Sequence, residues 1–136
     1  MEDGLIRITP DREKAKSIMK MAEKSLEMVR TIDESEFPSN VVKEYYEIIR
    51  ELISAVLLLD GYKTYGEGAH KKVIDYLEKN YREFPEHEIS VIDELRVVRN
   101  RIFYDGFFIR EDYIKRKKEA IENIIAKLRK IIKGRL

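Results

Sequence analysis

"VVKEYYEIIRELISAVLLLDG", residues 41–61, decides the fold class. Tyr45, Ile48, Ile49, Leu52, Ile53, Val56, Leu57 and Leu59 recur at helical spacings and grow denser toward the C-terminal end. A helix that is apolar nearly all round must be enclosed by other helices. The stretch therefore predicts a central helix over about Val41–Asp60, with Ser39 or Asn40 as N-cap and Gly61 as the stop. Its longest apolar run, Ala55–Leu59, falls far short of the ~18 residues that span a bilayer, so no membrane segment is expected.

The flanking sequence continues the helical pattern. Before it, Thr9 is a suitable N-cap and Pro10 a suitable first residue for a helix. That helix places Ala15, Ile18, Met19, Ala22, Leu26, Val29 and Ile32 on one face, and "EFPSN" breaks the pattern. After it, "GYKTYGEGAH" holds three of the six glycines and reads as a loop. A third helix is expected over Ala69–Arg82, with Val73, Ile74 and Leu77 inward, and Pro85 interrupts the chain again. A fourth over Glu88–Tyr104 turns Ile89, Ile92, Leu95, Val98 and Ile102 inward and ends at Gly106. The fifth, over Arg110–Lys133, carries Tyr113, Ile114, Ala120, Ile121, Ile124, Ile125, Leu128 and Ile132. With no strand alternation, repeat or low-complexity linker, residues 1–136 read as one all-α domain. The expected architecture is a single antiparallel helical bundle of about five helices.

Composition agrees. At 43% hydrophobic and 39% charged residues over 136 positions, the chain suits a charged globular domain with a real core. Cysteine is absent, which excludes disulfide and thiol chemistry and fits a cytoplasmic setting. Met1–Pro10 lacks the basic-then-apolar order of a signal peptide. Glutamine and tryptophan are missing while lysine and glutamate abound, a bias typical of thermophile proteins. The net charge of +1 conceals a division, with 13 basic and 5 acidic residues from Arg96 onward, against 14 and 21 before it. The basic third either faces a phosphate backbone or acidic partner, or pairs with the acidic helices of its own fold.

The richest chemistry lies in "RVVRNRIFYDGFF", residues 96–108. Arg96, Arg99, Asn100 and Phe103 are three or four apart and share a helix face. Tyr104 lies one turn beyond Asn100, and Arg101 adds a further charge. Guanidinium groups suit phosphate because two parallel N–H donors match two oxygens. Asn100 has little propensity reason to sit inside a helix, and Gly106 suits a positive φ at its close. The plainer alternative is a solvated helix end whose basic last turn complements the helix dipole.

"LRVVRNRIFYDG" at the end of a fourth helix, in a small all-α chain, resembles the HEPN superfamily (higher eukaryotes and prokaryotes nucleotide-binding domain). The signature of that family is an arginine, a polar residue, a three-residue spacer and a histidine. Arg99 and Asn100 take the first two places, and Tyr104 stands where the histidine would be. "LLLDGYKTYGEGAHKKVIDYL", residues 57–77, looks like the passage between the second and third helices of such proteins. The resemblance implies a four-helix up-down core and a homodimer in which the two motif helices meet across a cleft. It further implies nucleotide or RNA binding through Arg96, Arg99, Asn100, Arg101 and Tyr104. In catalytic members the arginine contacts phosphate and the histidine helps activate a ribose 2′-hydroxyl. Arg99 and Tyr104 are therefore the catalytic candidates for a metal-independent endoribonuclease. Such members often act as toxins paired with a nucleotidyltransferase antitoxin, while others bind nucleotides or serve as dimerisation and interaction modules. A tyrosine hydroxyl titrates near ~10 and is a poor general base at pH 7, so binding survives the substitution at 104 better than catalysis.

The remaining features carry less. His70 opens the third helix and reads either as a packing residue or as part of a cleft, and His87 reads as a surface residue. No HExxH, paired histidines or carboxylate cluster predicts a metal, and no cofactor is implied. "GYKTYGEG" lacks the P-loop pattern and follows no strand, while Tyr62 and Tyr65 would cover the core or a ligand. The basic final helix is amphipathic enough for a membrane surface, but its long apolar stripe suits core packing. Phe107 and Phe108 form either a lid on the core or an exposed dimer contact.

Overall fold

Pro38 in the first turn and Gly61 just past the end delimit a 23-residue helix with most of its side chains buried. Proline suits a helix start because its missing N–H would be unbonded there anyway. Gly61 ends the helix at φ +88°, a left-handed conformation that side chains disfavour. A Cβ at Gly61 would also come within 3.0 Å of the Ile8 carbonyl oxygen.

Around this axis the computed structural model describes residues 4–66 and 68–136. Residues 1–3 and Glu67 lie outside the described residues, and with them parts of the readings made on Met1–Pro10 and on residues 61–70. The element order is β1 (Leu5–Arg7), α1 (Arg12–Val29), α2 (Pro38–Asp60), β2 (Tyr62–Thr64), α3 (Ala69–Asn80), α4 (Glu86–Asp105) and α5 (Glu111–Lys133). The fold is an all-α helical bundle with one very small sheet. α2 packs against α1, α4 and α5, and the shorter α3 leans on α4 and α2. The predicted apolar stripes meet in one core, from Ala15 and Leu26 of α1 to Ile121 and Leu128 of α5. Each fully buried Leu or Ile contributes about 1.5–3 kcal/mol. No helix among the described residues is long and apolar enough to cross a membrane.

Three local expectations are corrected. The segment 62–64 was expected in a loop, yet it pairs antiparallel with β1, Leu5 opposite Thr64 and Arg7 opposite Tyr62. Three-residue strands are too short to show alternation in a sequence, and the docking of α1 on α2 is what brings their ends together. The first helix is capped by Asp11, whose carboxylate accepts the Lys14 N–H at 3.0 Å, and Thr9 and Pro10 belong to the connection before it. The second helix begins at Pro38 with Phe37 at the N-cap, ahead of Ser39 and Asn40. Ser39 has a different task, since its hydroxyl accepts the Ile109 N–H at 2.8 Å and anchors the α4–α5 connection.

Two features fix the elements that matter below. Asp60, at the end of α2, accepts hydrogen bonds from the Tyr76 and Tyr81 hydroxyls, both at 2.7 Å, and pairs with Arg135. This holds α3 against α2. The Ile8 N–H donates to the Gly61 carbonyl at 2.8 Å and the Tyr65 N–H to that of Gly4 at 3.0 Å, which sets the path of the α2–α3 connection.

Candidate functional site

α4 is buried only as far as Leu95. Beyond it Val98 and Ile102 pack partly against the core, while the next face turns toward α2 and α3. There Arg96, Arg99, Asn100 and Tyr104 line a cavity of about 600 Å³. Arg50 and Ser54 of α2, Thr64 of β2 and Tyr65 just after it, and His70 and Lys71 of α3 complete the polar wall. Side-chain exposures of 22% for Arg96 and 21% for Arg99 set these two apart from a freely solvated helix end. These arginines are held against protein, not waving in solvent.

Carboxylates at the edge position them. Glu47 Oε2 accepts hydrogen bonds from Arg50 Nε and Nη2 at 3.0 and 2.8 Å. Its Oε1 lies 3.2 Å from Arg99 Nε as an ion pair, out of line for a hydrogen bond. Arg99 Nη1 donates to Asn100 Oδ1 at 3.2 Å, so the mid-helix asparagine orients the guanidinium beside it. Arg96 Nε donates to Asp93 Oδ1 at 3.0 Å, and Lys71 Nζ reaches the same oxygen at 3.5 Å. A guanidinium has five N–H donors, and each of these uses at most two in the contacts described. Four cations thus line a cavity that holds no carboxylate among the described residues of its lining.

His70 faces the same space. Its Nδ1 is 3.2 Å from the hydroxyl of Tyr46, a residue only 2% exposed. Burial, then the cations Arg50, Arg99 and Arg96, lower the pKa of His70 below its ordinary value, with Glu47 opposing them. Burial pushes the Tyr46 hydroxyl up to about 12, so it stays protonated. α3 has Gly68 as its N-cap, with no side chain to cap the helix, and its positive end opens on the cavity.

Of the residues singled out in the sequence, Arg96, Arg99, Asn100 and Tyr104 come together on this cavity. Tyr104 is 73% exposed at the rim, edge-on to Phe103 with ring centroids 5.0 Å apart. Arg101 does not join them: it is exposed and its guanidinium lies 3.9 Å from the Phe107 ring centroid, because one helical step turns it off the cavity face. His70 belongs to the cleft and not only to packing, whereas His87 is a surface residue. Tyr65 lines the cavity, and Tyr62 packs on Tyr76. Phe107 and Phe108 are no lid on the core, since Ile109 is the buried residue there and Phe108 is 85% exposed. Gly106 takes a positive φ of 65°, as its place after the helix required.

Arg50 was missed from the sequence. The available signal was a polar stripe, Glu47, Arg50 and Ser54 at three- and four-residue steps through an otherwise apolar helix. Among the described residues no group of three or more His, Cys, Asp or Glu is placed to hold a metal ion. The cation-rich C-terminal third divides in two. In α5, Lys118 pairs with Glu34, Arg129 with Glu23 and Lys127 with Glu88, whereas Arg96 and Arg99 of α4 border open space. Comparison of the chain with protein families, with curated proteins and with solved structures returned no match.

Proposed function

We propose that the protein binds a nucleotide or RNA, with phosphate held in the cavity between α2, α3 and α4, in the manner of a HEPN-like domain. The observation that carries this reading is the convergence of Arg50, Lys71, Arg96 and Arg99 on one cavity with no acid among the described residues of its lining. Arg99, steadied by Asn100 and Glu47, presents a guanidinium suited to two phosphate oxygens. Tyr65 and Tyr104, 44% and 73% exposed, offer ring faces on which a base can stack. Binding of single-stranded RNA by the purified protein tests the reading. Affinity should fall with rising salt and fall at least about tenfold in Arg99→Ala, and an Arg99→Ala protein that binds like wild type sinks it.

The same reading includes a homodimer, a cytoplasmic setting and a toxin-like role beside a nucleotidyltransferase antitoxin. Its enzyme version is a metal-independent endoribonuclease with Arg99 on phosphate, weakened by Tyr104 at the place of the histidine. Cleavage of RNA in EDTA, abolished in Arg99→Ala, is the expected result of that version; intact RNA between pH 6 and 9 rejects it. A second reading, a non-catalytic dimerisation or protein-interaction module, is favoured by a different observation. Val97, Phe103, Phe107 and Phe108 are 44%, 60%, 37% and 85% exposed around the end of α4. If that module is the function, Phe103→Asp with Phe108→Asp disrupts the oligomer on size exclusion while nucleic-acid affinity is negligible in both proteins.

A further inference from the structure

We propose that His70 is a ligand-binding residue of this cavity, donating from Nε2 to a phosphoryl oxygen and taking up one proton as the anion binds. The inference rests on the phosphate-binding reading above and deepens it, giving the site a proton-coupled ligand.

The geometry begins at Tyr46. Its hydroxyl is buried with His70 Nδ1 as its hydrogen-bond partner at 3.2 Å. A phenol is the better donor of the pair, so the neutral imidazole accepts at Nδ1 and carries its hydrogen on Nε2. Nε2 is then a donor, which suits an anion's oxygen and not the role of a base. When the ring gains a proton, the proton enters at Nδ1, and the Tyr46 oxygen can accept it without the two residues moving. The contact is preserved in both charge states.

The charged neighbours supply the coupling. Glu47 and Arg50 face His70 from α2, Arg96 and Arg99 from α4, and Lys71 follows it on α3, with Tyr65 on the connection from β2. In the free protein the arginines oppose a further positive charge on the ring. A phosphoryl anion placed among them reverses that field and favours the imidazolium. The proton comes from solvent, and the complex holds the anion and one more proton than the free protein. Affinity therefore rises as pH falls through the bound-state pKa of His70. It levels off below the free-state pKa, which lies under 6.5.

Two probes of constant charge separate this from titration of the ligand: sulfate, and a short single-stranded RNA without a terminal phosphate. Each is titrated calorimetrically into the full chain from about pH 5.5 to 8.5, in buffers of different ionisation heat. Binding should tighten by at least about threefold toward low pH, with an upper limit of tenfold per pH unit for one coupled proton. The buffer dependence should report proton uptake. His70→Gln should bind more weakly with no pH slope, and His87→Gln should keep both affinity and slope. Histidine ¹⁵N spectra should show one ring, absent in His70→Gln, whose pKa rises when sulfate is added. Should Gln at 70 unfold the chain, Tyr46→Phe serves instead and should shift the titration of that ring. A pH-independent affinity, or a slope that survives in His70→Gln, overturns the role of His70 while leaving the phosphate site standing. Absence of binding at every pH, or binding indifferent to Arg99→Ala, overturns the site and this inference together.

Discussion

α4 and α5 are both rich in arginine and lysine, yet their cations live in different surroundings. On α5, Arg129 and Lys133 share Glu23, Lys118 meets Glu34, and Lys127 reaches the buried Glu88 at 2.7 Å. Those charges close the surface of the bundle on itself. At the end of α4, Arg96 and Arg99 are tied at their bases to Asp93 and Glu47 while their remaining donors face a cavity. Net charge along a sequence counts the two groups alike. What separates them is whether donors are left over to face open space, and that is a property of the fold.

The contrast can be broken first on stability. Lys127→Ala removes the ion-pair partner of Glu88, which is 3% exposed, and should lower the unfolding free energy by roughly 2–3 kcal/mol. Arg99→Ala should change it by less than about 1 kcal/mol. Denaturant titration of both proteins checks this, and equal losses would make the cavity arginines structural. Next comes affinity, where Arg99→Ala should cost about 1.5–3 kcal/mol of RNA binding and Arg129→Ala under twofold. A finer distinction lies within α4 itself. Arg96→Ala should reduce the slope of log affinity against log salt by about 1, and Arg101→Ala, whose side chain rests on Phe107, should leave affinity within about twofold.

The smallest effect is a pH dependence of stability without ligand. Because the folded pKa of His70 is lowered, the unfolded chain binds its proton more readily. The stability that His70 contributes as a neutral ring is complete above the unfolded value of 6.5 and is lost as pH falls from there through the folded value. Melting temperatures of wild type should therefore decline more steeply below pH 6.5 than those of His70→Gln. Parallel curves would mean that the ring is not held neutral by its neighbours.

The helices were legible because their burial follows spacing, and the stripes through Leu26, Leu52, Leu95 and Leu128 all end in the core. Four of the five residues assigned to the α4 motif face the cavity, since α4 is a regular helix whose angles can be counted from sequence. Arg101 shows the limit, being adjacent in sequence and a quarter-turn away in space. The far wall could not be counted in this way. Arg50 and His70 come from helices whose relative placement depends on Asp60, Tyr76 and Tyr81 meeting across α2 and α3. The sheet was invisible for a related reason, as neither LIR nor YKT carries a pattern until the other arrives.

That late meeting gives the sheet a place in the order of folding. β1 and β2 are separated by the whole of α1 and α2, so pairing them directly would close a loop of more than fifty residues. Docking of α1 on α2 does that work beforehand, and the ladder then closes as a clasp on a finished hairpin of helices. Thr64 and Tyr65 ride on this clasp, so the cavity mouth should be the last region to order on refolding and the first to open. Amide exchange at Ile8 and Tyr65 should accordingly run ahead of that at Leu52 and Ile53 in the central helix.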